Sequence, residues 1–242
     1  MTLHIYKTVP EVIVAIADYI VIVTQESIAT RGECNIVLSG GSSPELLYKM
    51  LASSQYRKQL DWSRINFFFG DERNVPNDDA QNNANMVRRT LFDPLNISSS
   101  RIFPVNTSLP PDEAAKNYSE QIVKHFKGKE VIFDLILLGL GDNSHTASLF
   151  PHTPILHDQS VSVQSVFLKE QNVYRISMTA SMINLARHIA FLVYGRGKAE
   201  AVHHVLEDES NIEEYPAQLI NPMQGIVKWF VDEAAASQLK PK

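Results

Sequence analysis

The chain is poor in several residue types on which whole functional classes depend. Its only cysteine, Cys34, stands at the start of an apolar run. One thiol builds neither a disulfide framework nor a cysteine-based metal site, and a buried small side chain is the plain expectation. Positive charge is not in excess: 22 Lys and Arg against 27 Asp and Glu give a formal net charge of −5. With no basic stripe, nucleic-acid binding has no support. An anionic ligand must be drawn in by a few local cations rather than by the field of the whole molecule. The longest apolar stretch near the N-terminus, residues 12–23, is interrupted by Asp18 and reads as too short to span a bilayer. The first residues lack the basic flank and cleavage pattern of a secretory signal. These absences describe a cytoplasmic protein that meets neither membrane nor nucleic acid.

What is present points to one packed unit. The chain has 242 residues, 44% of them hydrophobic, enough for one large core or two small ones. There is no internal repeat, low-complexity tract or obvious linker, so residues 1–242 are read as a single domain. Helices are expected over 10–30, 44–51, 83–92, 113–126 and 197–207, with a short one at the C-terminal end. Strands are expected over 35–38, 64–69, 135–138 and 188–194, with further β-like runs at 161–167, 173–178 and 226–231. Residues 70–81 read as a polar loop. Strands that alternate with helices imply right-handed crossovers and a three-layer α/β fold around a mostly parallel sheet.

The most informative stretch runs from Phe133 to Pro151. Its apolar run, Leu135 to Leu138, stops at Gly139 and Gly141, and His145 follows among Asp142, Asn143, Ser144 and Thr146. In an α/β sheet, ligands sit beyond the carboxyl ends of the strands, so this strand delivers an imidazole to the expected place. His145 is suited to general-base work near neutral pH, or is a histidine satisfied by local hydrogen bonds. The Gly139-Leu-Gly-Asp-Asn-Ser144 string lacks the third glycine and the distant acidic residue of a dinucleotide site.

Three other strand ends carry polar groups. Gly40, Gly41, Ser42 and Ser43, ahead of Pro44, form either a phosphate cradle at a helix N-terminus or an ordinary tight turn, with Ser43 as the expected N-cap. Asp71, Glu72 and Arg73 offer carboxylates and a guanidinium that could orient hydroxyls and clamp an anion, or a solvated ion pair. Gly195-Arg-Gly-Lys-Ala199 lacks the full P-loop spacing, but Lys198 could reach a phosphate. His152 and His157 lie on a loop and His203-His204 on a helix; no His-Glu-x-x-His or comparable spacing marks a metal site. No Gly-x-Ser-x-Gly elbow is present.

In their order along the chain these stretches resemble the 6-phosphogluconolactonase family, within the broader superfamily of sugar-phosphate isomerases and glucosamine-6-phosphate deaminases. The matching segments are Leu38-Ser-Gly-Gly-Ser-Ser-Pro44, Gly70-Asp-Glu-Arg-Asn-Val-Pro76 with Asn83, Gly139-Leu-Gly through His145-Thr-Ala-Ser-Leu-Phe-Pro151, Arg175 with Thr179, Gly197-Lys-Ala199, and Pro216-Ala217 with Leu219. The resemblance implies a Rossmann-like fold and hydrolysis of 6-phospho-D-glucono-1,5-lactone to 6-phosphogluconate, without metal or organic cofactor. It implies a small sugar-phosphate lactone as partner, in a monomer or small homo-oligomer. His145 falls on the family's catalytic histidine, with Asp71 and Arg73 beside it. Gly40, Gly41, Ser42, Ser43, Asn143, Thr146, Arg175 and Lys198 fall on binding positions.

The sequence departs from the family at a few places. The family usually has Asp-Gly immediately before the histidine, where this chain has Asn143-Ser144. Asp142 is one residue earlier, with a side chain expected to point elsewhere. Position 82 is Asn where Ser is common, and position 43 is Ser where Thr is common; both keep hydrogen-bonding ability. A deaminase resembles a site with acidic residues just before and a few residues after the histidine, and none follows His145 until Asp158. A non-catalytic sugar-phosphate sensor is the other alternative.

Overall fold

A computed structural model describes residues 1–240. Its centre is a six-stranded sheet in the order β1-β9-β8-β5-β2-β3, parallel at every pairing. The strands are β1 (Thr2–Tyr6), β2 (Cys34–Leu38), β3 (Ile65–Phe69), β5 (Leu135–Leu138), β8 (His188–Val193) and β9 (Ile226–Asp232). A separate three-stranded antiparallel sheet is built from β4 (Asp71–Arg73), β7 (Val173–Met178) and β6 (Val163–Leu168).

The apolar runs of the sequence become the interior strands. Every residue of β2, β3 and β5 is buried, as expected of strands covered on both faces. Two hydrophobic cores flank the sheet. One holds α1 (Val9–Arg31), α2 (Ser42–Leu51) and α3 (Asn83–Val87) against it. The other holds α5 (Pro111–His125), α6 (Ala180–Ile183), α7 (Ala199–Glu207) and the small sheet. Between α3 and α5 the helix loosens into a π turn over Arg88–Phe92 and ends in α4 (Asp93–Leu95). The mostly parallel sheet and its three layers follow the expectation.

α1 shows how local sequence sets an element. The Thr8 hydroxyl accepts from the Glu11 N–H at 3.4 Å, Pro10 occupies the first turn, and Gly32 ends the helix at φ 84°, a left-handed conformation that glycine adopts without a Cβ penalty. By length and composition this 23-residue helix could cross a bilayer, contrary to the short span read from the sequence, yet 56% of its most apolar window is buried inside the fold. Burying each large aliphatic side chain contributes about 1.5–3 kcal/mol.

Two local expectations change, and two expected strands form a sheet of their own with β4. Residues 71–73 form a strand rather than a loop, because backbone pairing with β7 overrides their polar character. The runs near 161–167 and 173–178 pair with each other and with β4, outside the parallel sheet. Residues 233–239 form turns instead of a helix. β1 adds an edge strand with no fully buried residue, which no apolar run in the sequence marks.

The topology fixes where a site can lie. From β2 the chain moves outward to β3; from β5 it moves the other way, through β8 to β9. β2 and β5 are hydrogen-bonded neighbours, so the connections after them diverge. The crevice at such a reversal, beyond the strand carboxyl ends, is where open α/β sheets hold ligands.

Candidate active site

The ends of β2, β3, β5 and β8 open on one cavity of about 360 Å³, within the size range of small-molecule sites. Each contributes a short polar segment, and each segment is shaped by a local backbone requirement.

After β2, Gly41 takes φ 105° and serves as the N-cap of α2, which begins at Ser42 without a side-chain cap. The expected cap, Ser43, therefore lies within the first turn. The glycine turns the chain two residues earlier, and Pro44 still costs nothing because first-turn N–H groups have no intrahelical acceptor. Gly40, Gly41, Ser42 and Ser43 all line the cavity. An uncapped helix start of this kind presents free N–H groups and the positive end of the helix dipole to an anion. Gly40 has a second role: a Cβ there would lie 1.8 Å from Asn83 Oδ1. The Asn83 amide fills that space and donates to the Asp71 carbonyl at 3.0 Å, tying the turn to β4.

In β4, Asp71 is buried and accepts from the Ser148 hydroxyl at 2.6 Å. Glu72 is fully buried and points away from the cavity, accepting from the N–H groups of Arg73, Asn83 and Ala84. Burial pushes its carboxyl up to about 7 despite those donors. Arg73 lies directly opposite Arg175 in the antiparallel ladder, so both guanidiniums project from one face of the small sheet. Like charges so placed repel. Arg73 donates to the Gln81 carbonyl at 2.7 Å, and Arg175 to Gln171 Oε1 at 2.6 Å. Among the described residues, the Nε of each is buried without a partner. Burial and the neighbouring Arg73 charge lower the affinity of Arg175 for its proton. A cation pair with spare donors in a cleft is an anion receptor.

The loop after β5 holds the imidazole. His145 stacks on Phe150 with ring centroids 3.9 Å apart and planes 17° from parallel. Its backbone carbonyl accepts from the Gly141 N–H at 2.8 Å, and a Cβ on Gly141 would lie 2.0 Å from Nδ1. The ring is thus held between a phenyl face and a bare glycine. Asn143 Oδ1 meets Nδ1 at 2.5 Å. An amide oxygen there accepts from Nδ1–H and leaves the Nε2 lone pair free. Thr146 spends its hydroxyl on the Gly139 carbonyl at 2.8 Å. Ser144 and Ala147 have φ of 61° and 46°, a left-handed conformation that costs a non-glycine residue about 1–2 kcal/mol. The value at Ser144 explains why a glycine suits that position. Burial, the largest influence, lowers the His145 pKa to about 4; Lys198 and Arg175 act in the same direction, while Asp71 and Asp142 oppose them.

After β8, Lys198 leads into α7 from a half-buried position on the cavity wall and has no ion pair among the described residues. The residues singled out from sequence therefore converge: His145, Asp71, Arg73, Thr146, Arg175, Lys198 and the Gly40–Ser43 turn all border one cavity. Asn143 does not; it stands behind the imidazole. Asp142, expected to point elsewhere, is on the wall. Sequence reasoning did not assign site roles to Phe150, Gln171 and Asn83. Phe150 and Asn83 stood inside or beside matching motifs, whereas Gln171 lies in a hairpin turn with no local signal.

The family model described as glucosamine-6-phosphate isomerases/6-phosphogluconolactonase matches residues 7–229. A 6-phosphogluconolactonase from Synechocystis sp. is 39% identical over 222 residues, covering 89% of each chain. One from Haemophilus influenzae is 36% identical, covering 85% of this chain and 87% of its own. Among solved structures, 6-phosphogluconolactonase from Trypanosoma cruzi superposes with a TM-score of 0.88 at 26% identity, covering 99% of this chain and 97% of that one.

Proposed function

The chain belongs to the glucosamine-6-phosphate isomerase/6-phosphogluconolactonase family, and from that premise we propose how its cleft works on a phosphorylated lactone. The protein hydrolyses 6-phospho-D-glucono-1,5-lactone to 6-phospho-D-gluconate, the second step of the oxidative pentose phosphate pathway. The observation that carries the reading is a free imidazole nitrogen sharing one cavity with three cations and an uncapped helix start. We place the protein in the cytoplasm as a monomer or small homo-oligomer, acting on a small sugar phosphate without nucleic acid, membrane or cofactor.

A δ-lactone is an activated ester and needs no covalent nucleophile. Neutral His145 takes a proton from water at Nε2 as the water oxygen bonds to C1. The C1–ring oxygen bond then breaks, and the imidazolium returns its proton to the departing ring oxygen. The new carboxylic acid releases one proton to solvent. Asn143 keeps the Nδ1–H tautomer, and Phe150 and Gly141 fix the ring plane. Arg73, Arg175, Lys198 and the Gly40–Ser43 turn hold the phosphate, which relieves the cross-strand repulsion of the two arginines. Asp71, anchored by Ser148, holds substrate hydroxyls within the cationic wall. Thr146 braces the loop through Gly139.

The direct test is hydrolysis of lactone generated in situ, measured above its spontaneous decay. No acceleration by the purified protein sinks the reading. In the same assay, Arg175→Ala is expected to raise KM by roughly 10–100-fold with kcat largely kept, the size of a lost charge-assisted hydrogen bond. An unchanged KM removes Arg175 from the phosphate site.

The pH profile tests the imidazole. The base must be neutral, and a lowered pKa keeps it so further into acid. kcat/KM is therefore expected to hold down to about pH 4 and fall below it, rather than near the ordinary histidine value of about 6.5. Asn143→Asp places a carboxylate on Nδ1, stabilises the imidazolium and moves the acid limb to higher pH. Coincident limbs in the two proteins would show that Asn143 does not act on the imidazole.

A further inference from the structure

Towards the carboxyl end of α7, a second group of histidines and carboxylates stands outside the cavity lining. His203 and His204 are consecutive in the helix, and Asp208 follows its last residue, Glu207, in extended backbone at φ −83° and ψ 163°. That turn brings the Asp208 carboxylate back over the final helical turn. Its Oδ1 lies 3.4 Å from His203 Nε2 and its Oδ2 lies 2.5 Å from His204 Nδ1. One nitrogen of each ring therefore faces the same carboxylate, and one ligand atom from each of the three residues lies within 4.8 Å of the others.

The remaining ring nitrogens are also directed. His203 Nδ1 meets Glu207 Oε2 at 3.0 Å, and His204 Nε2 lies 3.7 Å from Glu200 Oε1. An imidazole with one nitrogen on a carboxylate and the other aimed inward is the arrangement that orients histidine ligands around a metal ion and raises their basicity. Here His203 has it through Glu207, while Glu200 stands within ion-pair range of His204. The His204 ring stacks on Tyr215 with centroids 4.5 Å apart, and its backbone carbonyl accepts from Gln218 Nε2 at 3.1 Å. A separate observation agrees. Glu207, Asp208 and Glu209 follow one another at the carboxyl end of α7, where the helix dipole disfavours negative charge and favours a cation.

We propose that His203, His204 and Asp208 form a surface site for a divalent transition-metal ion of the zinc or nickel type, distinct from the catalytic cleft. Two imidazoles and a carboxylate suit such ions, and solvent completes the coordination. Ligands about 2.0–2.1 Å from a tetrahedral ion lie about 3.4 Å apart. The His203–Asp208 pair already has that spacing. The shorter His204–Asp208 contact opens by rotation of the Asp208 carboxylate, whose side chain is 33% exposed. The sequence offered no metal spacing because the third ligand lies beyond the helix and is returned only by its extended backbone.

The test is calorimetric titration of untagged, chelator-treated protein with Zn²⁺ and, separately, Ni²⁺. One ion per chain is expected, together with a rise in Tm in the presence of metal. His204→Asn and Asp208→Asn should each abolish that binding. Glu207→Gln, which alters only the outer carboxylate, should weaken it by about 10–100-fold. The other exposed histidine cluster, His157 with Glu213 at 2.6 Å, supplies the control, and His157→Asn should leave the titration unchanged. No saturable binding, binding that survives Asp208→Asn, or binding lost with His157→Asn each overturns the assignment. Lactone hydrolysis is expected to persist in all these variants, so the result is independent of the catalytic reading.

Discussion

His145→Ala is expected to lower kcat for lactone hydrolysis by roughly 10²–10⁴-fold, the usual worth of a positioned general base, while KM stays close to that of the parent. The reason is the division of the cavity. The cations and the helix start hold the phosphate whether or not the imidazole is present, so binding survives and the water loses its proton acceptor. An interaction that acts only during the chemical step is lost from kcat and kcat/KM alike. Steady-state kinetics corrected for spontaneous lactone decay make the comparison. Full activity in the variant removes His145 from the reaction; a large rise in KM at unchanged kcat makes it a binding group instead.

Gly141→Ala is expected to be nearly as damaging, although it removes no functional group. An added Cβ would lie 2.0 Å from His145 Nδ1 and 2.9 Å from Asn143 Oδ1. The imidazole has Phe150 stacked 3.9 Å from its ring centroid, so it cannot shift towards the phenyl ring and must tilt out of place. A misplacement of about 1 Å costs on the order of 10²-fold in rate. Gly141 is not among the residues with positive φ, so alanine meets no backbone penalty and Tm should change little. If the substitution works through the imidazole, adding it to His145→Ala changes nothing further, because a group already absent cannot be displaced. An additive loss in the double variant would show that Gly141 acts elsewhere, for example through the backbone at the cavity wall.

The parallel sheet was legible because its strands are short, apolar and punctuated. Residues 35–38, 135–138 and 188–194 could be read as buried strands without knowing their neighbours, since burial on both faces demands an unbroken apolar run. The ends of α1 were equally plain, through Pro10 and Gly32. β4 was not legible. Asp71, Glu72 and Arg73 have the composition of a loop, and only the backbone groups offered by β7 make them a strand. Gln171 was hidden for a related reason: its place at the cavity depends on a hairpin in a second sheet.

What the sequence determined by itself was the chemistry at the strand ends: an imidazole, two guanidiniums, a lysine, an aspartate and a glycine-rich helix start, in an order that resembles one enzyme family. Local side-chain type and strand punctuation suffice for that, because both are written in consecutive residues. The tertiary structure alone decided which way those groups face. It set Arg73 across from Arg175, moved Asn143 behind the imidazole, closed Phe150 over the ring and brought Asp208 back to two histidines. These relations depend on pairing and packing between residues distant in the chain, or on a backbone turn that no side-chain pattern records.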